Sequence, residues 1–169
     1  MPEPSADIPD WTRESKAWFE WAPSKSLLAS IRAYQRHAHR RGALHRAMRG
    51  VAVLRHRFWE TITGADIPIN TQIGGGLMLP HPNGIVVHPA VAIGPNCLIF
   101  QQVTLGWSRD GVPRLDGHVD VGAGAKVIGP ITIGRNVEIG ANAVVTKDVP
   151  ANCVAMGIPA RFSAKAPKA

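Results

Sequence analysis

The sequence predicts a mainly-β protein, a solenoid of short strands set behind a short α-helical region, and three observations predict it. First, an aliphatic residue returns every six positions: Ile67, Ile73 and Leu79, then Val87, Ile93, Ile99 and Leu105, then Leu115, Val121, Val127, Ile133, Ile139 and Val145. A helix face repeats at about 3.6 residues and a half-buried strand at about 2, so a beat of six that outlasts any one strand belongs to a coil of short strands sharing one interior. Second, Gly follows many beat residues, as in Ile73-Gly74, Val121-Gly122 and Ile139-Gly140. A residue without Cβ lets the chain turn a corner. Third, the beat slips by two residues across Pro80-His81-Pro82-Asn83-Gly84 and by four across the stretch from Trp107 to Pro113. Extra chain in a regular solenoid marks loops, where function concentrates. A sandwich of strands would instead show turn signals every ~8–12 residues without a fixed phase.

In chain order, residues 1–10 carry Pro2, Pro4 and Pro9 and read as a loose arm, with Asp10 as N-cap of a short helix from Trp11 to Trp21. Its spacing places Trp11, Trp18 and Trp21 on one face. After Pro23, Ser24 or Ser26 is expected to cap a helix through Leu27, Leu28, Ile31 and Tyr34 to the His37–Arg41 run, which Gly42 interrupts. A second helix runs from Ala43 to Ile62 and ends at Gly64, with Gly50 a weak point where it can kink. The expected organisation is an N-terminal helical cap over 1–64, the β-helix over 65–150, closed by Pro150, and a C-terminal tail over 151–169 with a frayed end. The cap and the tail would cover the open strand edges of the solenoid.

With 169 residues, 45% of them hydrophobic, the chain suits one compact domain with a helical extension. Cys97 and Cys153 are too few for a disulfide framework, and Cys97, between beat residues, reads as a small packed side chain. Met1 to Trp21 lacks the apolar core of a secretory leader and no run is long enough to span a bilayer, so the expected location is cytoplasmic. Net charge is +7, and between Pro23 and Trp59 there are nine Lys or Arg residues and no Asp or Glu. Such a segment is either a solvated helix face or a surface drawn to an anionic membrane, peripheral at its inner face. No nucleic acid is expected as partner, because aromatics are few there and no binding module is recognisable.

Chemistry is sought in the slips. His81 sits between Pro80 and Pro82, which stiffen its backbone, and a neutral imidazole suits proton removal from a hydroxyl near neutral pH. Asp66 lies 15 residues earlier, about one coil away, where a carboxylate can orient that imidazole. On residues alone, the ordinary reading, His81 as a loop histidine and Asp66 as a turn former after Gly64, is favoured over catalysis.

The repeat pattern resembles the hexapeptide-repeat left-handed parallel β-helices, whose triangular coils take three six-residue units each. Within them, Asp66-Ile67, Leu79-Pro80-His81 with Gly84-Ile85-Val86, Gln102-Val103-Thr104-Leu105-Gly106, the run from Gly122 to Gly129, the run from Ile139 to Val145 and Gly157-Ile158-Pro159-Ala160-Arg161 resemble the serine acetyltransferases over about 100 residues. The resemblance implies an acyltransferase using acetyl-CoA as co-substrate, no metal, and a homotrimer whose active site is shared between neighbouring solenoids. It implies His81 as general base and Asp66 as its partner. A backbone N–H near Gly106 or Trp107 would meet the oxyanion. CoA would lie along Ala123, Ala125 and Ala141, with Lys126 or Arg161 meeting its phosphates.

The departures concern the acceptor. Serine acetyltransferases carry an Asp directly before the catalytic His and an Arg-His pair before the loop proline, to hold the serine ammonium and carboxylate. Pro80, Gly111 and Val112 stand there in this sequence. Arg109 and Arg114 are the substrate-binding candidates left in the loop. The short basic helical lead resembles the branch of serine acetyltransferase-like proteins of capsule and exopolysaccharide synthesis, so the expected acceptor is a hydroxyl of a sugar or glycan precursor. Serine itself and a silent hexapeptide scaffold are the alternatives. A γ-carbonic-anhydrase-like metal site is disfavoured, since His88 and His118 lack the required spacing.

Overall fold

The computed structural model describes residues 4–166, and its body is the left-handed parallel β-helix that the six-residue beat requires. Among the described residues thirteen strands form three sheets, one for each face of a triangular prism. The first face stacks β1 (Gln72–Ile73), β3 (Ala92–Ile93), β6 (Arg114–Leu115) and β9 (Thr132–Ile133). The second stacks β4 (Leu98–Ile99), β7 (Asp120–Val121), β10 (Glu138–Ile139) and β12 (Cys153–Gly157), with β13 (Ala160–Ala164) outermost. The third stacks β2 (Val86–Val87), β5 (Thr104–Gly106), β8 (Lys126–Ile128) and β11 (Val144–Val145).

Register explains the slips. Val86 pairs with Thr104 and Arg114 with Thr132, in each case 18 residues on, the length of three hexapeptides. Gln72 pairs with Ala92 across the first slip, 20 residues on, and Thr104 with Lys126 across the second, 22 residues on. The extra residues therefore leave the coil as loops and the stacking continues unchanged. Every beat residue points inward: Ile67, Ile99, Leu105, Leu115, Val121, Val127 and Ile133 are at most 1% exposed. Each such side chain contributes roughly 1.5–3 kcal/mol of burial. Cys97 is fully buried among them, and desolvation pushes its thiol up to about 12. Neither Cys97 nor the buried Cys153 should react with a thiol reagent until the chain unfolds. Rapid labelling of the native protein would show that the coil opens locally.

Two corners require left-handed backbone. Between the first and second faces it falls on Gly76, Asn96, His118, Asn136 and Asn152, and between the second and third on Gly84, Gln102, Gly124 and Asn142. Asn tolerates this region better than most residues with a Cβ. At the first of these corners the side chains also link successive coils: His118 Nδ1 lies 2.9 Å from Asn136 Oδ1, and Asn136 Nδ2 donates to Asn152 Oδ1 at 3.0 Å.

In front lie α1 (Pro23–Ala38) and α2 (Ala43–Thr63), which pack on each other as a hairpin. Neither Ser24 nor Ser26 caps α1. Its N-cap is Ala22 without a side-chain bond, Pro23 opens the first turn, and Ser26 is buried. Proline's fixed φ and missing N–H suit that position. Gly64 ends α2 in the left-handed conformation, as its sequence position requires, and α2 runs unbroken through Gly50.

Three expectations are corrected. The Trp11–Trp21 helix shrinks to one 3-10 turn, Trp11–Glu14, because a segment this short gains more from tertiary partners than from its own ladder. The arm is tied down: Asn96 Oδ1 accepts the Asp10 N–H at 2.8 Å, Asn96 Nδ2 donates to the carbonyls of Ser5 and Ile8, both at 2.7 Å, and Asp7 pairs with Arg135 at 3.0 Å. Trp11 covers Gly75, where a Cβ would strike the indole ring. The coil also does not stop at Pro150, which only turns a corner. Val154 pairs with Glu138, and β13 folds back antiparallel on β12. The first three and last three residues, including the end expected to fray, lie outside the described residues.

Candidate active site

His81 projects from the corner between the second and third faces, on the Pro80–Gly84 turn, and is exposed. The turn is braced from both sides. Gly84 N–H donates to the Gly64 carbonyl at 2.8 Å, which ties the turn to the end of α2. On the next coil Gln102 donates its backbone N–H to the Asn83 carbonyl at 3.0 Å and its Nε2 to Asn83 Oδ1 at 3.1 Å. Gly84 is required at φ +68°, because a Cβ there would collide with the Gln102 amide. Lys126 Nζ in turn donates to the Gln102 carbonyl at 2.6 Å. Gln102 was quoted within a motif of the sequence but given no role in the site. Its signal was its place in the column otherwise held by Gly84, Gly124 and Asn142, where a left-handed residue with a long side chain needs a reason.

The same corner carries Ala123 and Ala141 on later coils, spaced ~4.8 Å apart as neighbouring parallel strands are. Ala123 and Ala141 therefore form a short shelf of small side chains on this prism edge, beyond the Gln101-Gln102 coil that adjoins the His81 turn, with Lys126 beside it. Ala125, expected on this shelf, is fully buried and faces the interior, so its backbone alone can contribute. The beat explains the difference, since Ala125 is two residues before Val127 and strand alternation turns both inward.

Asp66 sits on the opening rung of the third face. Its backbone bridges to Val86, with its N–H donating to the Ile85 carbonyl at 2.8 Å. Asp66 and His81 thus flank one pair of adjacent segments, but no hydrogen bond joins them among the described residues. The carboxylate lines an open cavity of about 530 Å³ beneath α2 with His56, Arg57, Glu60, Thr61 and Asn70. Within this junction His56 is 4% exposed, its Nδ1 is 3.1 Å from Ser30 Oγ and its Nε2 is 3.4 Å from Glu60. Burial lowers the His56 pKa while Glu60 pulls it up. The Ser-His-Glu order is not a nucleophile site: Ser30 is fully buried and its hydroxyl donates to the Leu27 carbonyl at 2.6 Å.

The other candidates lie elsewhere. Gly106, Trp107 and Arg109 are at the opposite edge of the third face, where the second slip forms a loop closed by reciprocal backbone bonds between Ser108 and Gly111. Arg114 is on the first face, 3.4 Å from Asp116. Arg161 is on β13, at the far end of the prism. Within one chain, the whole third face separates His81 from the loop of Trp107 and Arg109. Among the described residues no three His, Cys, Asp or Glu side chains converge as metal ligands.

A left-handed β-helix with a braced histidine at one prism edge and a loop at the next defines a hexapeptide-repeat protein with a candidate group-transfer site. Over that part the chain is similar to serine acetyltransferases. It is 45% identical over 104 residues to the serine acetyltransferase of Synechococcus elongatus, covering 59% of this chain and 43% of that protein. It is 42% identical over 108 residues to that of Helicobacter pylori, covering 62% and 63%. Among solved structures, a serine acetyltransferase in complex with CoA superposes with a TM-score of 0.70 at 31% identity over 85% of this chain and 58% of that one. Soybean serine acetyltransferase complexed with serine gives 0.67 at 29% identity, over 83% and 56%. The chain thus spans between about two fifths and two thirds of the length of the relatives it matches. No family model matches the chain.

Proposed function

We propose that this protein is an acyltransferase that moves an acetyl group from acetyl-CoA to a hydroxyl, with His81 as general base. The observation that carries the reading is the exposed His81 on a turn held by Gly64 and Gln102, on the prism edge that also carries the Ala123 and Ala141 shelf. His81 takes the proton of the acceptor hydroxyl as its oxygen attacks the thioester carbonyl carbon; the C–S bond breaks and the leaving thiolate recovers the proton from His81. Asp66 is the carboxylate partner that orients the imidazole. Along the shelf, Ala123 and Ala141 admit the pantetheine arm, and Lys126 meets phosphate. Arg161, on the terminal hairpin, is a second phosphate candidate.

The same geometry supports an assembly. His81 and the loop bearing Trp107 and Arg109 stand at the two edges of the third face, so a loop reaches His81 by coming from a neighbouring copy. A closed ring of three prisms, each offering one edge to the next, supplies that contact three times and supports a homotrimer. Gly106 or Trp107 N–H of the neighbour then serves the oxyanion.

Each relative named above is a serine acetyltransferase, which supports L-serine as acceptor ahead of the sugar hydroxyl expected from the short helical lead. The second reading, a neutral hydroxylated acceptor, rests on Pro80, Gly111 and Val112, which offer no charge to an ammonium or a carboxylate. Each missing charge-assisted hydrogen bond is worth roughly 1.5–3 kcal/mol. Thiol release from acetyl-CoA, followed with L-serine, hexoses and nucleotide sugars in parallel, separates the two. Turnover of L-serine well above that of any sugar is expected if Arg109 or Arg114 replaces the lost clamp. A sugar preferred over L-serine would overturn the leading acceptor, and absence of CoA binding would overturn the acetyltransferase reading.

A further inference from the structure

We propose that the exposed apolar stripe of α2, together with the aromatic turn at Trp18 and Phe19, docks the protein on an anionic lipid bilayer surface. α2 packs inward through Ala52, His56 and Thr63. On another side it leaves Leu44, Met48, Val51, Leu54, Phe58 and Ile62 exposed, with Leu54 at 71% and Phe58 at 54%. Their spacing of three and four residues makes one continuous stripe along a helix ~30 Å long. At one end of the hairpin, a turn closed by the Glu20 N–H on the Ala17 carbonyl at 3.1 Å holds Trp18 95% and Phe19 89% exposed. Ring contacts lead from Trp21, just after the turn, to the stripe. Trp21 meets Trp59 edge-on at 5.5 Å, and Trp59 meets Phe58 at 5.0 Å.

An apolar surface of this extent is an interaction site, and charge selects its occupant. Arg55 falls inside the stripe, in the sequence of positions Leu44, Met48, Val51, Arg55, Phe58 and Ile62. If a second copy packed its own α2 antiparallel on this seam, Arg55 would face the Val51 position of that copy. Glu60, the sole acid of α2, is 3.4 Å from His56 and does not lie on the seam. Such a dimer would bury two unpaired guanidinium groups, which is strongly unfavourable. A lipid interface has no such conflict: Arg55 extends to a phosphate while its stem and its neighbours enter the acyl boundary. Indole rings favour the same depth. Of the nine Lys or Arg residues between Pro23 and Trp59, Arg32 is taken up by Glu14, and the other eight, in a segment without Asp or Glu, complement anionic headgroups. No helix among the described residues is long and apolar enough to cross a membrane, so α2 lies along the surface.

The test is flotation of the full chain with vesicles at low salt. Partition onto mixed phosphatidylglycerol–phosphatidylcholine vesicles should exceed that onto pure phosphatidylcholine by ~10-fold or more, with a blue shift of tryptophan emission, and should fall as salt screens the surface. The variant carrying Leu54→Glu and Phe58→Glu should keep its circular dichroism, since both side chains are exposed, and lose ~10-fold or more of that partition. Trp18→Ala should reduce the blue shift. Failure of the wild type to float with anionic vesicles would overturn the proposal. So would undiminished flotation of the double variant, which would leave charge alone as the attraction. A lower sedimentation mass for the double variant than for the wild type would place another copy of the chain on the stripe instead. None of these readouts uses acetyl transfer, so the outcome is independent of the proposed activity.

Discussion

Replacing His81 with alanine should lower acetyl transfer by about 100-fold or more, the usual scale for removing a positioned general base, while thermal melting and CoA binding stay as they are. The side chain is exposed and makes no hydrogen bond among the described residues, so its loss leaves no buried group unpaired. What positions it is backbone: the turn stays closed by the Gly84 N–H to the Gly64 carbonyl and by Gln102 on Asn83. Asp66→Asn should cost less, because in the proposed mechanism Asp66 orients the imidazole and does not move the proton itself. Gln102→Ala is informative for the same reason, as it removes a brace and leaves the base in place. Full turnover by His81→Ala, measured as thiol release with the productive acceptor saturating, would take His81 out of the mechanism.

Glu14→Ala should be the most destabilising single change in the arm, by about 3–5 kcal/mol, the range for removing one partner of a buried ion pair. Glu14 Oε1 accepts the N–H of Gly76 at 2.8 Å and of Leu77 at 3.1 Å, and its carboxylate holds Arg32 through Nη2 at 2.7 Å and Nε at 2.9 Å. Arg32 passes the tie onward to the carbonyls of Ile73 and Gly74, both at 2.6 Å, while stacking 5.3 Å from the Trp11 ring centre. Both side chains are largely out of water, at 14% exposure for Arg32 and 9% for Glu14. Alanine would strand a guanidinium and two amides at the junction of arm, α1 and first coil. At roughly 2–4 °C per kcal/mol for a chain of this size, the melting temperature should fall by roughly 6 to 20 °C. Glu14→Gln keeps an acceptor for the amides and loses less. A shift near zero in calorimetry would show that the arm does not hold the first coil in solution.

The sequence by itself determined the solenoid, its interior and the ends of α2. Each of these is written locally: a beat of six places Ile99, Leu105 and Val127 inside whatever the rest of the chain does, and Gly64 ends a helix by its own φ. The lengths of the two slips were equally legible, and register absorbed both as loops without loss of phase. The resemblance, rather than the periodicity, brought His81 and Asp66 forward, because a histidine between prolines has no unique meaning on its own. Only the tertiary structure decided which prism edge each slip occupies, and so that Trp107 and Arg109 cannot reach His81 within one chain. It also decided that Ala125 is interior, that Gln102 braces the His81 turn, and that the Trp11–Trp21 segment gives up its helix to tie down across the corners of successive coils. The reason is sequence distance. The partners of Asp10 and Glu14 lie 60 to 90 residues away, at Gly76, Leu77 and Asn96. Contacts between positions so far apart depend on how coils stack, which no local pattern of polar and apolar residues records.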